Sequence, residues 1–205
     1  MTEPTGLILS AGASERWRGY PKALAPVSGE TALGRVIRLM AEAGVGRIWV
    51  VLGAHSDEIR GGLPSDQRSS VEWVTNPDWA RGQTSSVHTG LRQVDPGEDV
   101  VLWPVDHPLV SSHTLPRLLR ASDADLLAVW TIPEFDGRGG HPVILKEPAW
   151  RLALRLPPEV PLHRLIPQLG PQVQRVRVDD PGVVVNVNTP EDLERARGSG
   201  LPREV

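Results

Sequence analysis

Residues 9 to 24 read Leu9-Ser10-Ala11-Gly12-Ala13-Ser14-Glu15-Arg16-Trp17-Arg18-Gly19-Tyr20-Pro21-Lys22-Ala23-Leu24. Small residues from Ser10 to Ser14 directly follow a short apolar run. Such a loop lets backbone N–H groups converge on an anion. Arg16 and Lys22 can then neutralise phosphate oxygens, Arg as a planar fork and Lys as a point charge. The spacing is neither the dinucleotide GxGxxG nor the GxxxxGK[ST] loop. A plain strand-to-helix turn would explain the glycine alone. The loop together with Arg16 and the Pro21-Lys22 pair points to a bound phosphate.

Asp106 ends another apolar run, Val100–Val105. A carboxylate at the carboxyl end of a parallel strand stands where open α/β sheets bind ligands. It is a candidate ligand for Mg²⁺, a hard cation that seeks oxygen. The alternative is a helix N-cap for a segment starting near Ser111. Asn186 and Asn188 either offer uncharged amide oxygens to a metal or cap the helix that opens at Thr189-Pro190. His107 adjoins Asp106, but alternation along an extended chain sends it to the opposite side. The six His include no HxH or HExxH pattern, and the absence of Cys excludes thiolate zinc sites, thiol nucleophiles and disulfides.

The apolar pattern supplies a scaffold for these groups. Gly6–Ser10, Arg47–Leu52, Val71–Thr75, Val100–Val105 and Asp125–Ile132 read as buried strands. Ala32–Ala43 puts Leu33, Val36, Ile37, Met40 and Ala43 on one helical face, with Gly44 as a stop. Ser85–Gln93 and Thr114–Ala121 read as further helices. Apolar strands alternating with helices predict an α/β fold of the Rossmann-like, three-layer αβα kind with a mostly parallel central sheet. Pro142–Leu145 and Val173–Val178 read as late edge strands and Val183–Val185 as a final strand. Thr189 reads as an N-cap with Pro190 at the first helical position.

The 205 residues suit a single domain, with a core over about 6–197 and a frayed tail over 198–205. The seven Trp lack a helical period and read as core or rim rather than a stacking platform. A net charge of −3 argues against an electrostatically driven nucleic-acid binder. No apolar run approaches a membrane span, and the N-terminus lacks a signal-peptide pattern, so a cytoplasmic protein is expected.

In its first loop the chain resembles the nucleotidyltransferases of molybdenum cofactor maturation, the molybdenum cofactor cytidylyltransferase and guanylyltransferase group. Their pattern is roughly L-x-[AG]-G-x-S-x-R-M-G-x-x-K. Ser10-Ala11-Gly12, Ser14, Arg16 and Lys22 match it; Trp17 replaces Met, and Arg18 is inserted before Gly19. Four later motifs follow in order: Asn76–Gly82 with Ser85-Ser86 and Gly90, Val105–Leu109 around Asp106, Gly137–Pro142, and Asn186–Asp192. The resemblance covers about residues 6 to 197.

The resemblance implies transfer of a nucleoside monophosphate to a phosphorylated acceptor, with release of pyrophosphate and no protein nucleophile. Arg16, Lys22 and Asp106 would be catalytic. Ser10, Ala11, Gly12, Ala13, Ser14, Arg16, Lys22, Asn76, Gly82, Gln83, Thr84 and Ser85 would bind the nucleotide. Asp106 and Asn186 would hold Mg²⁺. Gly139, Gly140 and His141 would face the acceptor, whose pocket falls to the segment Phe135–Leu169. The expected reaction moves CMP from CTP to molybdopterin, with transient contact to a molybdoenzyme or its maturation factors. Ala11, where the guanylyl branch usually has Gly, favours CTP, as do Pro21, Ser85-Ser86 and Gly140–Pro142; Asn186-Val187-Asn188 leans towards GTP. The alternatives are the same chemistry with GTP, a sugar- or alcohol-phosphate acceptor, and a non-catalytic nucleotide-binding module.

Overall fold

The computed structural model describes residues 3–17 and 19–198. The inserted Arg18 and the tail from residue 199 onward lie outside the described residues. The elements in chain order are β1 (Thr5–Ser10), β2 (Pro26–Val27), β3 (Glu30–Thr31), α1 (Ala32–Glu42), β4 (Ile48–Leu52), α2 (Ser56–Gly62), α3 (Ser65–Ser69), β5 (Glu72–Thr75) and α4 (Gln83–Leu91). There follow β6 (Val100–Pro104), α5 (Thr114–Ala124), β7 (Trp130–Phe135), β8 (Arg138–Gly139), β9 (Val143–Leu145), α6 (Glu147–Ala153), α7 (Ile166–Leu169), β10 (Val173–Arg177) and α8 (Pro190–Gly198).

The main sheet runs β10-β7-β9-β6-β1-β4-β5, with β8 paired to β7. β1 is parallel to β4 and β6, β4 to β5, and β7 to β10. β2 and β3 form a separate hairpin. Strand alternation sorts the core to two faces. Ile8 and Val50 join α1 residues Leu33, Val36, Ile37 and Met40 on one face; Leu7, Leu9 and Val51 join Val87 and Leu91 of α4 and Trp150 of α6 on the other. The result is the expected three-layer arrangement. Among the described residues no helix is long and apolar enough to cross a membrane.

Chain order explains where a crevice opens. From β1 the chain moves outward through β4 to β5, then returns to the other side of β1 as β6. The connections diverge between β1 and β6, so a cleft opens at their carboxyl ends. α1 begins at Thr31, whose hydroxyl accepts from the Gly34 N–H at 3.0 Å. Its buried Arg35 donates to the carbonyls of Pro108 at 2.8 Å and Val110 at 3.2 Å, tying down the chain just after Asp106.

Three sequence expectations are corrected. β9 is not an edge strand: it lies antiparallel between β6 and β7, with all three residues buried, and only β10 forms that edge. An all-apolar run reports burial, not position in the sheet. The strand expected over Asp125–Ile132 starts at Trp130, because the Asp125 carboxylate accepts from the N–H groups of Leu127 and Ala128 and forms a turn there. Val183–Val185 is no strand. Residues Pro181–Val184 form a 3₁₀ turn, with the Asp180 side chain accepting from the Gly182 N–H; proline and the aspartate cap override the β propensity of three valines.

Candidate active site

Leu9, Ser10, Ala11, Gly12, Ala13, Ser14, Arg16 and Lys22 line the cleft from one side. Pro104, Val105, Asp106 and Asn188 line the other, and the volume is about 500 Å³. The loop after β1 is held from below. The carbonyl of Ala11 accepts from Ala54 N–H at 3.1 Å, and Ala13's from His55 Nε2 at 2.8 Å. A Cβ on Gly53 would overlap the Ala11 carbonyl and lie 2.8 Å from Trp79 Cγ, so only glycine fits that turn. Ser14 takes a positive φ of 53°, and its hydroxyl accepts from the Lys22 N–H at 3.1 Å. This bond closes the loop and returns Lys22 to the cleft, whereas Arg16 is exposed at its lip.

Lys22 Nζ sits 3.3 Å from Asp106 Oδ2 and 3.4 Å from Asn188 Oδ1. The second carboxylate oxygen, Oδ1, is 3.1 Å from His107 Nδ1. Burial pushes the Asp106 carboxyl up, but the His107 hydrogen bond and the charge of Lys22 outweigh it. Its pKa is thereby held below the usual carboxylate range. The His141 ring lies 4.8 Å from that of His107. Burial and the neighbouring His107 lower its pKa to about 3, against opposing effects of Asp106 and the Leu102 backbone, so His141 is neutral at physiological pH.

His107 thus stands beside Asp106 rather than across the chain from it. Its N–H bonds back to the Pro104 carbonyl at 3.1 Å, so β6 has already turned and alternation no longer applies. Nor does Asp106 cap the segment near Ser111. The Asp180 carboxylate takes the Ser111 N–H at 2.8 Å and the Thr114 hydroxyl at 2.6 Å.

The late motif divides. Asn186 is exposed and outside the cleft lining, whereas Asn188 reaches Lys22. Neither asparagine side chain caps α8: Thr189 Oγ1 accepts from Asp192 N–H, and the Asp192 carboxylate accepts from Asn188 and Thr189 N–H.

Gly82 and Gln83 line the cleft, but Thr84 and Ser85 turn inward. Thr84 donates to the Val160 carbonyl at 2.6 Å, and buried Asn76 bonds the hydroxyls of Ser85 and Ser86. Ser86 and Trp79, which the sequence placed in motifs but not among the nucleotide-binding residues, complete this wall. Helical phase within Gln83–Ser86 is the signal that separates the inward pair from the cleft-facing ends. Gly139, Gly140 and His141 lie apart from the loop, around a second cavity of about 290 Å³.

Asp106 is the one carboxylate of the cleft held largely out of solvent, with the Asn188 amide oxygen beside the same ammonium. Among the described residues no three His, Cys, Asp or Glu gather into a metal site. This donor set fits a divalent cation that takes one carboxylate from protein and the rest of its ligands from phosphates and water.

A family model for the MobA-like NTP transferase domain matches residues 6–173. The bifunctional IPC transferase and DIPP synthase of Rubrobacter xylanophilus is 37% identical over 140 residues, 64% of this chain and 30% of that protein. Nicotine blue oxidoreductase of Paenarthrobacter nicotinovorans is 29% identical over 148 residues, 69% of this chain and 70% of its own length. The crystal structure of Rv0371c from Mycobacterium tuberculosis H37Rv matches with a TM-score of 0.79 at 26% identity, covering 95% of this chain and 97% of that one. A second structure of that protein, a complex with manganese, matches at 0.77 and 24%, covering 97% and 100%.

Proposed function

The chain belongs to the MobA-like NTP transferase family, and on that premise we propose that it transfers a nucleoside monophosphate from a nucleoside triphosphate to a phosphorylated small molecule. The observation that carries this reading is the Lys22–Asp106 pair, 3.3 Å apart, facing the Ser10–Ser14 loop across the cleft between β1 and β6.

An acceptor phosphate oxygen forms a new bond to the α-phosphorus. The bond from that phosphorus to the bridging oxygen breaks, and pyrophosphate leaves with the electron pair. No protein nucleophile is required. The loop N–H groups and the cations of Arg16 and Lys22 offset the charge that grows on the departing pyrophosphate. Asp106, held as a carboxylate, and Asn188 would hold the divalent ion, which when bound supplies charge neutralisation and orientation of the phosphates. His107 fixes one oxygen of Asp106 and leaves the other facing the cleft. Arg35 anchors the backbone that follows.

The finer reading is CTP as donor, Mg²⁺ as the ion and molybdopterin as acceptor. Ala11 supports the donor: it lines the cleft, and its methyl occupies room that glycine would leave to a purine. The test is pyrophosphate release with each of the four NTPs, Mg²⁺ and a molybdopterin acceptor. Release with CTP at least tenfold faster than with GTP supports the full reading. Release with GTP preferred keeps the transferase and removes the cytidylyl assignment. No nucleotide binding at all removes both.

A further inference from the structure

Beside the nucleotide cleft, and sharing Leu9, Gln83 and Pro104 with it, lies the second cavity of about 290 Å³. We propose that this cavity receives the body of the phosphorylated acceptor and selects a body that is apolar or a flat aromatic ring, against one that is a polyol. The proposal rests on the transferase reading above and names the class of its second substrate.

The shared residues set the direction. An acceptor seated in the second cavity and reaching past Leu9 and Pro104 brings its phosphate into the cleft that holds Lys22 and Asp106. The walls set the class. Val87, Leu102, Trp130, Ile132 and Val143 are all buried and form an apolar floor. The polar side chains Gln83, His163 and Arg175 are exposed residues and stand at the rim, and Arg175 is already paired with Glu134 at 3.4 Å. Deeper in the lining two buried ring nitrogens have no partner, Trp130 Nε1 and His141 Nδ1, enough for the edge of a flat ring and too few for a ring of hydroxyl groups.

Backbone donors that a sugar would need are spent inside the protein. The Gly140 N–H bonds the Pro133 carbonyl and the His141 N–H bonds the Val183 carbonyl, each at 2.9 Å. A ring carrying several hydroxyl groups would lose water on entering and regain few hydrogen bonds, and each buried polar group left unmade costs about 1–3 kcal/mol. An aromatic or aliphatic body loses nothing comparable and buries apolar area. The volume, at the lower end for ligand pockets, accommodates a small fused-ring system or a short branched chain.

The experiment is calorimetric titration of the protein, saturated with Mg²⁺ and a CTP analogue bridged by methylene between the α- and β-phosphorus, with phenyl phosphate and with myo-inositol 1-phosphate. Phenyl phosphate is expected to bind at least tenfold tighter, about 1.4 kcal/mol. Leu162→Trp, at a half-buried wall position, is expected to weaken phenyl phosphate at least fivefold with analogue affinity unchanged; Ile166→Trp serves if that variant does not fold. Equal or tighter binding of the inositol phosphate, no measurable binding of phenyl phosphate, or indifference to both wall variants overturns the proposal. Failure of this analogue and of its GTP counterpart alike to bind overturns the transferase reading instead, and the ring preference is then read from the two phosphates titrated alone.

Discussion

Replacing Lys22 by Ala removes one charge and leaves its surroundings in place. The Lys22 N–H that closes the loop on Ser14 is a backbone group and survives the change. The lost Nζ lies 3.3 Å from Asp106 Oδ2, with the two side chains 21% and 16% exposed. At an effective dielectric of about 20, unit charges at that distance interact by roughly 5 kcal/mol. Desolvation of both groups and access of solvent consume most of this in the resting protein, so the net loss of stability should be about 1 kcal/mol or less. For a chain of this size that is a fall of roughly 2–4 °C in Tm at most. The transition state is different. Negative charge then collects on the leaving pyrophosphate in a largely preorganised site, and one missing cation should cost about 2.7 kcal/mol or more, a hundredfold in kcat. The assay is coupled pyrophosphate release at saturating substrates, beside a calorimetric melt of the same preparation. Turnover within about threefold of wild type would refute the phosphate-loop assignment. A large fall in Tm with turnover intact would make Lys22 a structural counter-ion.

Four further outcomes are expected. Asp106→Asn should raise the Mg²⁺ concentration needed for half-maximal rate by at least about tenfold while Tm stays within a few degrees, measured by titrating Mg²⁺ into the release assay. Ala11→Gly should bring the proposed preference for CTP over GTP, expected to be about tenfold before the change, to near parity in a two-nucleotide competition. Gly140→Ala should lower stability by about 2 kcal/mol or more, read as a shifted urea midpoint, because its Cβ would overlap the Val183 carbonyl. His55 has a pKa raised above 6.5, chiefly by its hydrogen bond to the Ala13 carbonyl, against burial and with help from Glu58. Its charge therefore stabilises the fold fully below the unfolded value and loses that effect as pH rises through the folded one. His55→Gln should flatten the fall in urea midpoint as pH rises above about 6.5.

Local signals carried most of the first half of the chain. The Ser10–Ser14 loop, the face of α1 and the placement of Asp106 at the end of β6 all follow from short-range pattern, because a parallel strand and the turn after it are written in consecutive residues. Legibility failed where a tertiary partner decided the outcome. Val143–Leu145 declares burial, but nothing local tells that it slots between β6 and β7. Val183–Val185 has strand composition and yields to Pro181 and the Asp180 cap. His107 is misplaced by an alternation rule that lapses one residue after the strand ends. Asn186 and Asn188 share one motif, and only the contact with Lys22 separates them. Thr84 and Ser85 resemble their cleft-lining neighbours in type but not in helical phase.

β9 does more than extend the sheet. Its ladder with β6 stops at the pair Leu102–Val143, and the chain preceding it bends out through Gly140 and His141 towards Val183. Beyond that point the chain before β9 stays on β7, through the Gly140 N–H on the Pro133 carbonyl and the β8 ladder at Glu134 and Phe135, but it has left β6. The second cavity lies over the sheet face that Leu102 of β6, Val143 of β9 and Trp130 and Ile132 of β7 share. Its floor is therefore laid on laddered backbone, whose spacing does not depend on which side chains stand on it. Substitutions on that floor can change what the cavity favours while the β1 loop and Asp106 stay in register.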